Sequence, residues 1–355
     1  MFYSQRLLLG TIDERLERIK EKLNRVRSLP KGDEFGVKKH RFELTQPLSE
    51  EEVKLFEETH KIKLPEDYRA FITKLGAAGA GPYYGLLPLS RWEDVTFDDP
   101  HEGLLTGPCI LTENMSSDWQ SNELKNGREP YSGALPIVEQ GCTYYNLLVL
   151  KGPFRGRVVN VDMNGFPPHF ADNPDFLSWY ERWLDHWLGG VDLFWYGFGP
   201  TGDEEELCHL LSTDRASGAA TALGRLRQLT AVTLKKLLHC LDGDDDETRA
   251  EAIKTIGRRG GDDLVSNIAA LVADDSAEVR YAVLWSLRMY HLEKRKLLSP
   301  LFEKALSDED EEVLHYAIMT YKELPFCSKE KIEPFIDDKR KGISSMAKWV
   351  LGVDR

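Results

Sequence analysis

Three groups of residues are of types that occur in known chemical sites, and the first group is glycine-rich. Residues 197–202 read Gly-Phe-Gly-Pro-Thr-Gly, which fits the pattern of dinucleotide-binding loops. That chemistry requires a buried strand before the glycines and a helix N-terminus that is free to receive phosphate. Here an aromatic run precedes the glycines, and the carboxylates of residues 203–206 follow and would repel phosphate. The segment is therefore interpreted as an interdomain linker.

The second group is an alternation of aspartates. Asp242, Asp244 and Asp246 are spaced as in a calcium-binding loop. Such a loop has glycine at its sixth position and glutamate at its twelfth, where this sequence has Glu247 and Ile253. An acidic turn between two helices is therefore the better interpretation of this segment.

The third group comprises the histidines and cysteines. The nine histidines include no H-E-x-x-H or other paired-ligand spacing, and the five cysteines are scattered without a C-x-x-C pair. No nucleophile elbow, P-loop or protein kinase signature occurs. The sequence thus predicts a protein that is not an enzyme and that needs neither a metal nor another cofactor. A hydrolase or lyase site assembled from residues distant in sequence stays open as an alternative.

The formal net charge of −13 is unevenly distributed along the chain. Residues 1–46 hold eleven Lys/Arg against seven Asp/Glu, whereas residues 92–130 hold nine acidic residues against two basic ones. So acidic a protein is poorly suited to the phosphate backbone of nucleic acids, and it suits a basic protein partner. The alternative is that the acidity only confers solubility.

The sequence lacks the hydrophobic segments of exported and membrane proteins. It has no run of about 18 apolar residues, and residues 1–23 pass directly into charged helical sequence. We therefore expect neither a membrane-spanning segment nor a secretory signal. Scattered cysteines suit a reducing compartment, so the expected location is cytoplasmic.

Helical patterns dominate the first part of the chain. Apolar residues recur at spacings of three and four from Ile12 to Val26, which predicts an amphipathic helix within residues 1–34. Ser49 and Glu52 have the spacing of a capping box, which predicts the start of a second helix. Proline at the start of a helix costs no hydrogen bond, so a third helix is predicted to start at Leu64-Pro65.

Short apolar or alternating runs, separated by glycine and proline, follow as far as Gly165. They predict antiparallel strands, and the aromatic residues 176–188 then predict a closing helix. This order gives an α+β domain over residues 35–195, an antiparallel sheet with flanking helices, followed by a linker at 196–204. The predicted strands are Tyr83–Leu89, Ala134–Val138, Tyr144–Leu150 and Arg157–Val161.

Internal repeats begin after the linker. Equivalent positions lie 31 residues apart from Thr248 to Val279 and 34 residues apart from Val279 to Val313, which is typical of helical hairpin repeats. With weaker outer copies there are about five units, which predicts an all-α solenoid over residues 205–355 whose neighbours bury each other's apolar faces.

The repeat pattern resembles HEAT repeats, since each strong copy has an apolar helix, an acidic turn and a second helix. Arg249 and Arg280 occupy the same position of the first two copies, and Leu314 replaces them in the third. Any ladder of Arg–Asp pairs along the stack is therefore expected to be interrupted at Leu314. The resemblance implies a scaffold or binding surface and does not specify the partner.

Three segments of the first domain resemble the SUKH superfamily, which includes fungal cell-wall-assembly regulators and bacterial immunity proteins that neutralise toxins. They are residues 53–71 with their L-P-E-D-Y-R-A-F motif, residues 135–159 with a glycine turn, and the aromatic helix of residues 176–184. The resemblance implies an α+β binding fold without catalysis. Its motif residues read as core and turn determinants, so we assign them no contact role.

We expect partner contacts to come from the acidic segment and from a tyrosine pair. The leading hypothesis is an immunity-type or adaptor protein that binds and neutralises or regulates a partner protein, such as a basic toxin domain. The alternative is a HEAT-type scaffold or regulatory protein whose helical stack is the main binding surface. The candidate contact residues are Tyr83, Tyr84, Trp92, Asp98, Asp99, Glu102, Asp118, Trp119 and Glu123.

Overall fold

The computed structural model describes residues 3–30, 35–96, 103–113, 115–324 and 328–353, apart from the side chains of residues 262–263 and 295–297. The chain divides into two compact units, Met1–Asp203 and Glu204–Arg355. The first combines an antiparallel sheet with helices and the second is helical, so the predicted fold class is confirmed. No helix in these ranges is long and apolar enough to cross a membrane.

Capping chemistry sets where two helices of the first unit begin. Thr11 and Ser49 each accept a hydrogen bond from the backbone of a glutamate three residues later, whose carboxylate accepts one from the cap in return. The capping box predicted at Ser49 is thus confirmed. The helices are α1 Tyr3–Arg6, α2 Ile12–Ser28, α3 Val37–His40, α4 Glu50–Thr59, α5 Glu66–Lys74, α6 Trp119–Lys125 and α7 Phe176–Gly189.

One antiparallel sheet has the strand order β1-β2-β3-β4. The run Tyr83–Leu89, predicted as a strand, instead forms isolated bridges, one of them from Leu86 to Val138. Pro82 precedes this run and Pro88 lies within it, and neither has an N–H to donate, which prevents a continuous ladder. The strands are β1 Ala134–Gly141, β2 Tyr144–Val149, β3 Val158–Asp162 and β4 His169–Phe170.

Helix α7 carries the largest aromatic contribution to the core of the first unit. Phe176, Trp179, Tyr180 and Trp183 are all buried, and the rings of Tyr180 and Phe71 lie 4.7 Å apart. Full burial of such a side chain contributes about 1.5–3 kcal/mol. The aromatic helix predicted to close the domain therefore holds α5 and the preceding segments in place.

Helix α2 is tied to α7 by charged pairs. Arg15 makes two hydrogen bonds to Asp175, of 2.7 and 2.9 Å, and Arg18 makes two to Glu181, both of 3.0 Å. Bidentate pairs of this kind fix orientation as well as distance. The N-terminal helix predicted as a separate segment is therefore part of the first unit.

Residues 191–203 form a segment that we call the strap. The Tyr196 side chain is buried, and its hydroxyl donates to a carbonyl of α7 at 2.5 Å. Asn160 on β3 donates to Gly197 O at 2.9 Å. Of the segment 196–204, predicted as a linker, residues 196–203 are thus part of the first unit, because burying the Tyr196 ring outweighs the entropy of a free linker, and Glu204 belongs to the second unit.

Paired helices make up the second unit. Helices α9, α11, α13, α15 and α17 contact one another in succession, and α10, α12 and α14 pack against this layer. The bounds are α8 Glu204–Leu210, α9 Ala216–Arg225, α10 Ala231–Cys240, α11 Asp246–Arg259, α12 Asp262–Ala270, α13 Ala277–His291, α14 Arg295–Ala305, α15 Glu311–Tyr321, α16 Lys329–Ile332 and α17 Lys341–Leu351.

An Arg–Asp ladder joins successive repeats. Arg249 pairs with Asp274 at 2.8 Å, and Arg280 pairs with Asp308 at 2.7 Å. Each arginine thereby links the second helix of one repeat to the acidic turn of the next. Leu314 is buried at the third position, so the interruption expected from the sequence is confirmed.

The close approach of α11 and α13 generates a stability prediction. A Cβ added to Gly257 would lie 1.8 Å from Ser286 Oγ, so Gly257→Ala forces buried atoms apart. We expect the free energy of unfolding to fall by about 2 kcal/mol, measured by urea unfolding of the full chain. Ser286→Ala removes the clashing oxygen and is expected to recover much of the loss in the double variant. If Gly257→Ala lowers the free energy of unfolding equally in the wild-type and the Ser286→Ala backgrounds, this packing argument is contradicted.

A half-buried carboxylate on α7 generates a pH prediction. Lys22 Nζ lies 2.8 Å from Asp185, and burial raises the pKa of Asp185 to about 7 from an ordinary value of 3.8. The folded state keeps a proton that the unfolded chain releases near pH ~4. This group therefore lowers the free energy of unfolding as the pH rises from ~4 to ~7. Asp185→Asn is expected to flatten that part of the profile of melting temperature against pH. Asp13→Asn, at an exposed carboxylate, is the control, and an unchanged slope in Asp185→Asn contradicts the assignment.

Candidate functional site

A mostly apolar groove of about 520 Å³ opens on the first unit. Its walls are formed by Phe35, Val37 and His40, by the turn at 81–84, by the β1–β2 hairpin at 140–144, and by α7 with the strap. Its size and lining are typical of sites that bind a small ligand or the side chains of a partner. Its aromatic residues are Phe35, Tyr83, Tyr84, Tyr144, Trp183, Trp187, Phe194, Trp195 and Tyr196.

The aromatic rings at the mouth of the groove remain accessible. Phe35 and Phe194 are exposed, and Trp195 has 39% of its surface exposed. The rings pair with one another, Phe35 with Tyr84 at 4.8 Å and Tyr144 with Trp195 at 5.6 Å between centroids. A contiguous exposed aromatic patch on a folded chain typically marks an interaction site.

Unusual backbone conformations concentrate at the groove. Of the six non-glycine residues with positive φ in the described ranges, three line it: Tyr83 at 52°, Cys142 at 52° and Trp195 at 59°. Gly141 also has a φ of 98°, and a Cβ there would lie 2.9 Å from Tyr84 Cε2. Such conformations persist only where the surrounding structure imposes them, and they cluster at functional sites.

Buried amides support the groove from below. Gln140 Nε2 donates to Asn160 Oδ1 at 2.8 Å, and Asn146 Nδ2 donates to the same oxygen at 2.6 Å. Gln140 lines the groove with 6% of its surface exposed, and within the described residues its Oε1 accepts no hydrogen bond. A buried acceptor without a donor is rare in folded proteins and calls for an explanation.

The charged side chains that line the groove favour a cation over an anion. Among the described residues around it, Asp192 is the single carboxylate, and no lysine or arginine is present. Just outside, Lys39 Nζ lies 4.7 Å from the centroid of the Tyr84 ring and 3.6 Å from the Glu139 carboxylate. One groove wall therefore already carries a cation on an aromatic face.

Two of the predicted contact residues lie together in the groove, namely Tyr83 and Tyr84. The Tyr83 hydroxyl donates to the strap at Tyr196 O, 2.9 Å away. Trp92 is half-buried with its ring 4.5 Å from that of His60, and it does not line the groove.

The acidic segment contributes none of its described residues to the groove. Trp119, predicted as a contact residue, is 4% exposed and packs in the core, which corrects that assignment. Asp118 accepts a hydrogen bond from the Ser116 hydroxyl at 2.5 Å, which lowers its pKa, and Glu123 pairs with Arg128. The remaining candidates, Asp98, Asp99 and Glu102, lie outside the described residues.

Sequence reasoning missed most of the groove walls. Phe35, Trp187, Phe194 and Trp195 are separated in sequence, and only the fold brings them to Tyr84. One signal was available, because an exposed linker rarely contains three consecutive aromatic residues such as those at 194–196. Within the described residues, no three His, Cys, Asp or Glu are grouped so as to hold a metal ion.

The architecture defines a two-part protein, an α+β unit followed by stacked helical hairpins. Residues 47–185 match the model of the SMI1 / KNR4 family (SUKH-1), and residues 234–322 match HEAT repeats. Both resemblances inferred from sequence, and their order along the chain, are therefore confirmed. No curated protein matches the chain.

Solved structures similar to this chain include several repeat proteins. YibA of Escherichia coli is 16% identical with a TM-score of 0.38, over 51% of this chain and 66% of that one. A Pds5–Scc1 complex is 17% identical with a TM-score of 0.34, over 41% and 28%. A designed armadillo repeat protein in complex with the peptide (KR)4 is 18% identical with a TM-score of 0.32, over 43% and 82%.

The exposed thiol in the groove provides a direct test of its accessibility. Cys142 is exposed, Cys208 is buried, and burial raises the thiol pKa of both Cys109 and Cys240. We expect Cys142 to react with a small aromatic disulfide at least about tenfold faster than the other three. The measurement uses a Cys327→Ser background, because Cys327 lies outside the described residues. A fast phase that survives Cys142→Ser contradicts this structure of the groove.

Proposed function

We propose that this protein is a non-catalytic protein-binding module of the immunity or adaptor type, which binds and neutralises or regulates a partner protein. The observation that carries this proposal is the groove of the first unit. Its mouth exposes Phe35, Phe194 and Trp195 together, and Trp195 has a positive φ of 59°.

Energetics favour these rings as contact residues. Aromatic side chains bury 150–250 Å² each, and tryptophan and tyrosine dominate the binding energy of protein interfaces. Completing the burial of Phe194 and Trp195 against a partner is worth about 2 kcal/mol or more for each ring. A few such contacts suffice for a specific complex.

The family comparisons support a binding role without naming a partner. The SMI1 / KNR4 family (SUKH-1) match covers the sheet, α4, α5 and most of α7. The SUKH superfamily, which this domain resembles, includes immunity proteins that neutralise toxins. HEAT repeats likewise form binding surfaces and scaffolds.

Charge favours a basic partner, such as a toxin domain that itself binds phosphate. The chain has a net charge of −13, which accelerates encounter with a positively charged surface and repels nucleic acid. Part of this acidity is neutralised internally, as in the Arg91–Asp94 and Arg128–Glu123 pairs. Electrostatic attraction therefore accelerates association with a basic partner, and contacts with the aromatic groove provide the affinity.

The rival proposal places the main binding surface on the repeat stack. One observation favours it: Trp349 on α17 is 56% exposed, with Lys322 Nζ 5.0 Å from its ring centroid. The rings of Tyr281 and Tyr316, on the neighbouring α13 and α15, lie 5.0 Å apart. Such a surface suits a scaffold or regulatory protein.

The two proposals predict opposite effects of matched tryptophan substitutions. We expect Trp195→Ala to weaken partner binding at least about tenfold, because it removes an aromatic contact of the groove. Trp349→Ala, in the second unit, is expected to change it less than about twofold. Calorimetric titration of the full-length chain with the purified product of the adjacent reading frame measures both.

The outcomes separate the hypotheses. A loss confined to Trp349→Ala supports the scaffold proposal and contradicts the groove. Hydrolysis or modification of the partner by the wild-type chain, at any rate above that of buffer, contradicts a non-catalytic role.

A further inference from the structure

The groove combines three features that together specify one kind of occupant: aromatic walls, a carboxylate at the rim, and a buried amide oxygen without a donor. We propose that it receives an arginine side chain presented by the partner protein. This inference rests on the proposed function and deepens it, because it names the residue type that the groove recognises.

The walls suit a flat cation. A guanidinium is planar, stacks on aromatic faces and is more weakly hydrated than an ammonium. Tyr144 and Trp195 meet nearly edge to face, with an interplanar angle of 77°, and Phe35 packs beside Tyr84. Lys39 on the Tyr84 ring shows that these faces accept a cation at 4.7 Å.

Gln140 supplies the polar argument. Its Nε2 is held by Asn160 Oδ1, which fixes the amide and leaves Oε1 as an acceptor without a partner among the described residues. Oε1 itself is buried, so a guanidinium reaches it only when the Gln140 side chain turns toward the groove; its five N–H groups can then donate to that oxygen while its face stacks on a ring. A leucine or proline side chain has no donor and would leave this oxygen unsatisfied.

Charge complementarity points the same way. Asp192 is the single carboxylate among the described lining residues, and these residues include no lysine or arginine. Its Oδ1 accepts from Phe194 N at 2.9 Å, which fixes the carboxylate beside an exposed aromatic ring of the strap. Asp192 therefore places a negative charge in the groove lining.

The groove holds more than one side chain. At about 520 Å³ it accommodates an arginine together with an apolar neighbour, so the probe is a short peptide rather than free arginine. The probes are acetyl-Gly-Leu-Xaa-Leu-Gly-amide peptides in which Xaa is arginine, citrulline, lysine or leucine. Citrulline keeps the shape of arginine and removes its charge, which isolates the cationic contribution.

Binding is measured on the full-length protein in two ways, by tryptophan fluorescence and by the rate at which Cys142 reacts with a thiol reagent. We expect the arginine peptide to bind at least about fivefold more tightly than the citrulline, lysine and leucine peptides. It is also expected to slow the reaction of Cys142, because that thiol lines the groove.

Substitutions assign the preference to individual residues. Asp192→Asn and Gln140→Met are each expected to reduce the ratio of arginine to leucine affinity at least about threefold. Phe194→Ala is expected to weaken binding of the arginine peptide. Phe166→Ala removes a comparably exposed ring outside the groove, 62% against 69% exposed, and is expected to leave binding unchanged.

The possible results distinguish this inference from the function on which it rests. Equal protection of Cys142 by the leucine and arginine peptides overturns the arginine inference and leaves the groove as a binding site. Absence of protection by every peptide also overturns it, and the Trp195→Ala titration with the partner then decides the proposed function independently. An arginine preference that survives both Asp192→Asn and Gln140→Met contradicts the assignment to this groove.

Discussion

The hydrogen bonds of one buried side chain, Asn160, hold the groove together. Its carboxamide accepts from Gln140 and Asn146 and donates to carbonyls of β4 and the strap, so it links its own strand β3 to β1, β2, β4 and the strap. Each of these bonds contributes about 1 kcal/mol in net terms, but an unsatisfied partner costs the full desolvation of a buried polar group. An amide at this position therefore determines where the strap lies.

The strap and the segment that contains Phe35 contribute groove residues from outside the family match. The family match covers residues 47–185, whereas Phe35 and Val37 precede it and residues 187–196 follow it. The matched part supplies the hairpin and the tyrosine turn, and the flanking parts supply the exposed aromatic rings. The matched region and the segments that flank it thus each supply nine of the eighteen described lining residues.

Local patterns in the sequence predicted most of the helices and the repeats, because capping, periodicity and spacing act over a few residues. The capping box at Ser49 and the interrupted ladder at Leu314 are examples. The groove was largely unpredictable, since it depends on contacts such as that between Asn160 and Gly197, 37 residues apart. Trp119 failed as a contact residue for the same reason: an isolated aromatic residue in a polar segment gives no local sign of whether it is buried.

The electrostatics of the chain bear on which surface gives specificity. Several of its carboxylates have structural roles, because Asp245 and Asp310 cap helices and Asp274 and Asp308 pair with arginines of the ladder. Such groups complement helix dipoles and guanidinium charges within the fold, so the net charge overstates the field available to a partner. A diffuse negative field attracts many basic proteins and distinguishes poorly among them. Discrimination must then come from a site with fixed shape and fixed polar atoms, and the groove formed by the strap has both.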